Sequence, residues 1–258
     1  MKLRFLGTGT SFGVPQIACE CAVCRSDDPR DRRLRSAVLI DTDGGTRILI
    51  DTPPELRLQL LAAGVDALDV VLFTHDHADH THGIDDIRAI TMRRTAALPM
   101  IGPAETIASL AQRFPYVFDP AIPPPPGSSK PEGQGRSIEP GQRITIGDAT
   151  IEAIEVPHGP KRVFGYRIGP VAYVTDAKSV PPQALTQLRG VELLVINALL
   201  RRQHPLHLSI DEAIQVAREV GARRTFFTHL THHESHAALA AELPAGIAPA
   251  HDGLVVEV

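Results

Sequence analysis

The chain has 258 residues, a length that suits one large domain or two small ones. Hydrophobic residues make up 43%, enough for a sizeable core without disulfides, but aromatics are only 4% and Trp is absent, so Leu, Ile, Val and Ala must fill that core. A formal charge of −4 argues against gripping nucleic acid by bulk electrostatics, and no apolar stretch approaches the length that spans a bilayer.

Met1–Leu6 reaches Gly7 too early to hold the apolar region of a secretory signal, so a soluble cytoplasmic protein is expected. Lys2–Leu6 alternates and predicts a strand, closed by the turn Gly7-Thr8-Gly9-Thr10-Ser11. No Gly-Lys-Ser/Thr follows, so the glycines read as a turn near a site rather than a nucleotide loop. Cys19, Cys21 and Cys24 lie within six residues and make no disulfide framework. In a reducing compartment such a cluster reads as metal ligation or redox chemistry. Arg25–Arg35 mixes arginines with Asp27, Asp28 and Asp31, the pattern of a solvated loop face. Ser36–Asp41 and Arg47–Asp51 form a predicted hairpin turned at Asp43-Gly44-Gly45. A helix is expected over Glu55–Ala63, between Pro54 and the stop at Gly64, followed by a buried strand at Val70–Phe73. Helices are also expected over Ile84–Ala97 and Glu105–Arg113.

Phe118–Arg136, with four consecutive prolines from Pro123 to Pro126, is expected to be an extended loop joining two halves of a single 1–258 domain. Strand-like runs follow at Arg143–Ile146, Thr150–Val156, Phe164–Ile168, Val171–Thr175, Leu193–Ile196, Arg224–Thr228 and Leu254–Val258. Helical segments are expected at Pro181–Leu188, Ile210–Val220 (Ser209 as cap, Gly221 as stop) and His233–Leu243. Phe73-Thr74-His75 recurs as Phe227-Thr228-His229, which hints at duplication. Two such halves fit an α/β four-layer sandwich, two mixed sheets face to face with helices outside.

The chemistry gathers after Val70–Phe73, where His75, Asp76, His77, Asp79 and His80 pack three imidazoles and two carboxylates into six residues. Imidazole suits zinc, iron, nickel and copper, carboxylate suits harder ions such as manganese, and the mixed set can hold more than one divalent ion. His158, Asp176 and His229 also follow β-rich runs. If those strands share polarity, all these side chains converge on one rim. His82, beside the cluster, falls off its pattern; His204, His233 and His251 are expected at the surface.

His-x-His-x-Asp-His with His158, Asp176 and His229 in this order resembles the metallo-β-lactamase fold superfamily over nearly the whole chain. The resemblance implies one divalent ion (zinc or manganese) on His75, His77 and His158, a second on Asp79, His80 and His229, and Asp176 between them. Cys19, Cys21 and Cys24 are one ligand short of a tetrahedral zinc site, and His232, three residues after His229, is the candidate fourth ligand. Buried small hydrophobes and a redox pair are the alternatives for the thiols. Together with Gly7–Ser11 and Gly13-Val14-Pro15, this set resembles a narrower group, the phosphoribosyl 1,2-cyclic phosphate phosphodiesterases of the carbon–phosphorus lyase pathway and their bacterial relatives.

That resemblance implies hydrolysis of a small cyclic or sugar phosphodiester by a hydroxide shared between the two ions, with Asp79 and Asp176 in the reacting centre. It implies that His207 meets the substrate phosphate and that Asp51 holds the far nitrogen of a ligand histidine. Thr52-Pro53-Pro54-Glu55, where relatives more often carry a glycine, and Asn197, where an acid is common, depart from the pattern. The expected partner is a small-molecule phosphodiester, with a homodimer allowed and neither membrane nor nucleic acid favoured. The rivals are a ribonuclease Z-like RNA phosphodiesterase, a thioester or lactam hydrolase on the same fold, and a non-catalytic metal-binding protein of cofactor biosynthesis.

Overall fold

The computed structural model describes residues 1–258. The first half runs β1 (Lys2–Gly7), β2 (Ala37–Asp41), β3 (Arg47–Ile50), α1 (Leu56–Ala63), β4 (Val70–Leu72), α2 (Ala78–Thr81), α3 (Arg88–Thr91), β5 (Leu98–Gly102), α4 (Ala104–Arg113), α5 (Pro115–Phe118) and β6 (Gly133–Ser137). The second runs β7 (Arg143–Ile146), β8 (Ala149–His158), β9 (Lys161–Ile168), β10 (Val171–Val174), α6 (Pro182–Leu188), β11 (Leu193–Asn197), α7 (Ile210–Val220), β12 (Arg224–Thr228), α8 (His236–Glu242), β13 (Ile247–Pro249) and β14 (Val255–Glu257). No helix is long and apolar enough to cross a membrane.

Two seven-stranded sheets result, ordered β14-β1-β2-β3-β4-β5-β6 and β13-β12-β11-β10-β9-β8-β7. Each is antiparallel at one end and parallel at the other, with the change at β3–β4 in one and at β10–β11 in the other. Strand alternation explains the four layers. Ile48, Ile50, Val70 and Leu72 face a core shared with Val171, Tyr173, Leu193 and Val195 of the other sheet. Their neighbours Leu49 and Val71 turn outward onto α1 and α4, and Leu194 and Ile196 onto α6 and α7. Strands buried on both faces read as continuous apolar runs, which is how the sequence presents them.

Three expectations change. The helix expected over Ile84–Ala97 is a 3₁₀ turn at Ile84–Ile87 and the single turn α3, after which the chain becomes strand β5. Pro99 is tolerated there because pairing with β4 begins only at Met100. The expected loop Phe118–Arg136 ends in strand β6, whose sequence Gly-Gln-Gly-Arg-Ser carries no apolar alternation. Its glycines are demanded by space, since a Cβ on Gly133 would lie 2.6 Å from Met100 Sδ. The expected helix His233–Leu243 starts only at His236, capped by Ser235. In addition, the recurring Phe-Thr-His does not mark equivalent positions: by sheet order the counterpart of β4 is β11, not β12.

Candidate metal centres

The parallel strands β3, β4, β10, β11 and β12 all end on one rim of the sandwich. Asp51 follows β3, His75 follows β4, Asp176 follows β10, His229 follows β12, and His158 closes β8. His77 is the extended residue before α2, whose first turn carries Asp79 and His80. Three residues here, Asp51 (φ 67°), Asp176 (φ 59°) and His229 (φ 58°), adopt left-handed backbone conformations without being glycine. Such conformations cost of order 1–3 kcal/mol each and persist where the surroundings impose them.

Asp176 lies at the centre. Its Oδ2 faces His75 Nε2 and His158 Nε2, each at 3.8 Å, and its Oδ1 faces His80 Nε2 and His229 Nε2, each at 3.4 Å. Asp79 Oδ2 closes the second group, 3.4 Å from His80 Nε2 and 3.8 Å from His229 Nε2. Donor atoms of His75, His77, His158 and Asp176 lie within 4.8 Å of one another, as do those of Asp79, His80 and His229. Nε2 of His75, of His80 and of His229 is buried without a hydrogen-bond partner. Burying such atoms unpaired is expensive, so this donor set fits divalent cations.

The opposite nitrogens of His158, His80 and His75 are held, while His229 Nδ1 is buried without a partner. His158 Nδ1 donates to Leu206 O (2.9 Å) and His80 Nδ1 to Asp51 Oδ2 (2.8 Å). Thr74 Oγ1 donates to Asp51 Oδ2 (2.9 Å), which leaves the hydroxyl oxygen to accept from His75 Nδ1 (2.9 Å). Each ring is thereby fixed in the tautomer that turns an Nε2 lone pair to the centre. Thr74 was not singled out by sequence; its place between Asp51 and His75 is a consequence of the fold.

Charge follows the same geometry. Burial opposes ionisation of Asp79 and Asp176, yet the neighbouring histidines hold both carboxyls far below the usual range. Burial likewise disfavours a charged His80, but Asp176, Asp79 and Asp51 raise it well above the imidazole range, so three carboxylates here favour a positive charge between the rings. Burial, with His80 beside it, pushes His75 far down, and burial raises Asp51 against the pull of His80 and Thr74. His207 stands over the pair with Nδ1 3.9 Å from Asp176 Oδ2, its ring stacked on His229, and burial with the nearby His229 pushes it down to about 3.

A second cluster lies on the outer side of the same loop. The Sγ atoms of Cys19, Cys21 and Cys24 stand 3.2, 3.4 and 3.4 Å from His232 Nδ1. A zinc tetrahedron with its usual bond lengths has sulfur–nitrogen edges of roughly 3.5 Å, so the four donors are spaced for one ion. The Cys24 N–H, reaching Cys21 Sγ, draws Cys21 down to about 6, and burial pushes Cys24 up to about 11.

The departures from the expected pattern leave the ligands in place. Thr52 accepts from Gly83 N and donates its own N–H to His80 O, and Glu55 pairs with Arg35. Asn197 accepts from Ala177 N (2.8 Å) and donates to Ala177 O (3.0 Å), pinning the residue after Asp176. An ionised acid at 197 accepts only and would lose the second bond. His82 is exposed beside Arg113, away from the cluster. His233 is exposed as expected and His204 half-buried, and both line a cleft of about 460 Å³ that opens over His77, Asp79, Asp176 and His207.

A crystal structure described as a new diphosphatase from the PhnP family is 38% identical, covers 99% of this chain and 96% of that one, and superposes with a TM-score of 0.91. Zinc-bound PqqB from Methylobacterium extorquens shares the fold, at 18% identity and a TM-score of 0.78 over 100% of both chains. An octanoyltransferase of Porphyromonas gingivalis is 39% identical over 256 residues, which are 98% of this chain but 51% of that protein, so the chain spans about half the length of this curated relative. The family model described as Beta-lactamase superfamily domain matches residues 46–230. With a family match over most of its length and the diphosphatase alike from end to end, the chain belongs to the metallo-β-lactamase superfamily.

Proposed function

We propose that the protein is a two-metal hydrolase of phosphodiesters, acting on a small anionic substrate of the kind represented by phosphoribosyl 1,2-cyclic phosphate. The observation that carries this reading is Asp176, one carboxylate whose two oxygens face two separate ligand groups, His75/His77/His158 and Asp79/His80/His229. Two divalent ions, zinc or manganese, supply Lewis acidity there and a water of lowered pKa. Asp51, through His80 and Thr74, orients two of the rings that would hold them. The Cys19/Cys21/Cys24/His232 set would hold a structural zinc apart from the chemistry. Burial keeps His207 a neutral imidazole, so its role is to donate a ring N–H to a non-bridging phosphate oxygen rather than to arrive already charged as an acid. A diphosphatase as the similar solved structure is consistent with attack at phosphorus.

Acyl thioester hydrolysis is the second reading, favoured by the name of the Porphyromonas gingivalis relative. The apolar wall the cleft offers an octanoyl chain is Phe12, Leu199, Leu200 and Leu206, among mostly polar lining residues. A ribonuclease Z-like activity has less support, because Phe118–Arg136 runs into strand β6 and its Lys130 is bonded back to Asp119 O. Elemental analysis combined with turnover of bis(p-nitrophenyl) phosphate and of an octanoyl thioester separates these readings. Wild-type protein should carry two catalytic ions and one zinc and cleave the diester. Asp176→Ala should lose at least one catalytic ion and at least about 100-fold in rate. Faster turnover of the thioester would overturn the proposal.

A further inference from the structure

The cleft over the ligand groups is larger than a scissile phosphate fills, and its walls carry chemistry that hydrolysis itself does not use. One wall is the turn Thr10–Gly13, closed by a hydrogen bond from Gly13 N to Thr10 O (2.8 Å) and by the left-handed φ of 66° at Gly13. That turn presents Phe12, whose side chain remains 64% exposed in a protein with only eight phenylalanines. The lining also includes the segment Leu199–His207, which contributes Arg202 and His204. Arg201 is spoken for by Glu234 and Glu242, whereas Arg202 has no carboxylate partner. The only carboxylates lining the cleft are Asp79 and Asp176, both facing the ligand groups.

An exposed ring on a fixed turn and an unpaired guanidinium in the lining of the same cleft form a complementary pair of contacts for one molecule. A flat ring stacks on phenylalanine whatever its substituents, and a guanidinium takes a phosphate or carboxylate by paired hydrogen bonds. We propose that the cleft binds, beside the scissile phosphorus, a nucleobase-sized ring against Phe12 and a second anionic group on Arg202. The preferred substrate is then a nucleotide-type diester. A phosphoribosyl cyclic phosphate would use Arg202 through its second phosphate and leave Phe12 unmet. This inference rests on the phosphodiester reading above.

Three chromogenic diesters with one scissile bond and one leaving group test it: methyl p-nitrophenyl phosphate, thymidine 5′-(p-nitrophenyl phosphate), and the same thymidine ester bearing a 3′-phosphate. The ring and the second anion should each raise kcat/KM by about 10-fold in the wild type. Phe12→Ala should bring the ratio of thymidine to methyl ester near one. Arg202→Gln should bring the ratio of phosphorylated to unphosphorylated thymidine ester near one. Ratios cancel any general loss of activity, and both residues are exposed, so neither substitution threatens folding. Wild-type ratios near one, or variants that shift both ratios alike, would overturn the subsite. Absence of turnover with all three esters would instead fell the phosphodiester reading, and the subsite with it.

Discussion

Four residues other than glycine adopt left-handed backbone, and every one stands at a ligand cluster: Asp51, Asp176 and His229 at the paired site, and Ala18 immediately before Cys19. Strain of this kind is concentrated where side chains have to be aimed rather than merely packed. A different residue stores strain as charge. Asp252 accepts from Thr8 Oγ1 and from Leu34 N, each at 2.7 Å, and its burial raises the carboxyl to about 6. A carboxyl raised in the folded state binds its proton more tightly there than in the unfolded chain. Its contribution is therefore present below the unfolded value near 4 and is lost as pH rises through about 6. Chemical denaturation from pH 4 to 7 should show the wild type losing about 2 kcal/mol relative to Asp252→Asn. A pH-independent difference between the two proteins would show that Asp252 ionises as freely folded as unfolded.

Among the elements, the loop from Thr228 to Ser235 carries most consequence, because it offers His229 inward and His232 outward. Its anchor is Arg33, almost wholly buried, which donates to Thr231 O, to Glu234 O (2.9 Å) and to Asp31 Oδ1 (3.3 Å). Asp31 in turn accepts from His236 N (2.6 Å) at the start of α8. Removing one partner from a buried ion pair costs about 3–5 kcal/mol, so Arg33→Met should destabilise the fold by that order. It should also weaken ion binding at Asp79/His80/His229 more than at His75/His77/His158, measurable by titrating metal into stripped protein. Adding Asp31→Asn should recover part of the stability, since it removes the stranded charge. Sequence could not point to Arg33, which sat in a run of mixed charges that reads as a solvated face. It was equally blind to β5 and β6. Ala96-Ala97 continued a helical pattern into Leu98, and the glycines of β6 are explained only by Met100 and Ile107 pressing against them. By contrast, His75, His158, Asp176 and His229 were legible because each is a chemically conspicuous side chain soon after an apolar run, and His77 and His80 because they crowd beside His75.

At the scale of the whole molecule, the sandwich is two similar halves laid face to face, each changing from antiparallel to parallel after its third or fourth strand. Asp51 and Asp176 follow the corresponding strands β3 and β10 with the same left-handed turn, and one supports a ring while the other stands between the two ligand groups. The four layers were readable from alternating half-buried runs, but this correspondence was not, because the residues that carry it share geometry and not flanking sequence. Tyr166 ties the halves across the core by donating to Phe73 O (2.6 Å), two residues before His75.

The sheet order also decides what a cut would do. β6 and β14 are the two outer strands of the first sheet, and both lie after the exposed proline stretch Pro123–Gly127. A protease that nicks that stretch therefore leaves a C-terminal fragment clasping the N-terminal one at both margins, like two hands around a book. The fragments should co-elute in gel filtration with their metal content intact and part only in denaturant; separation in native buffer would mean that the outer strands contribute little to holding the halves together.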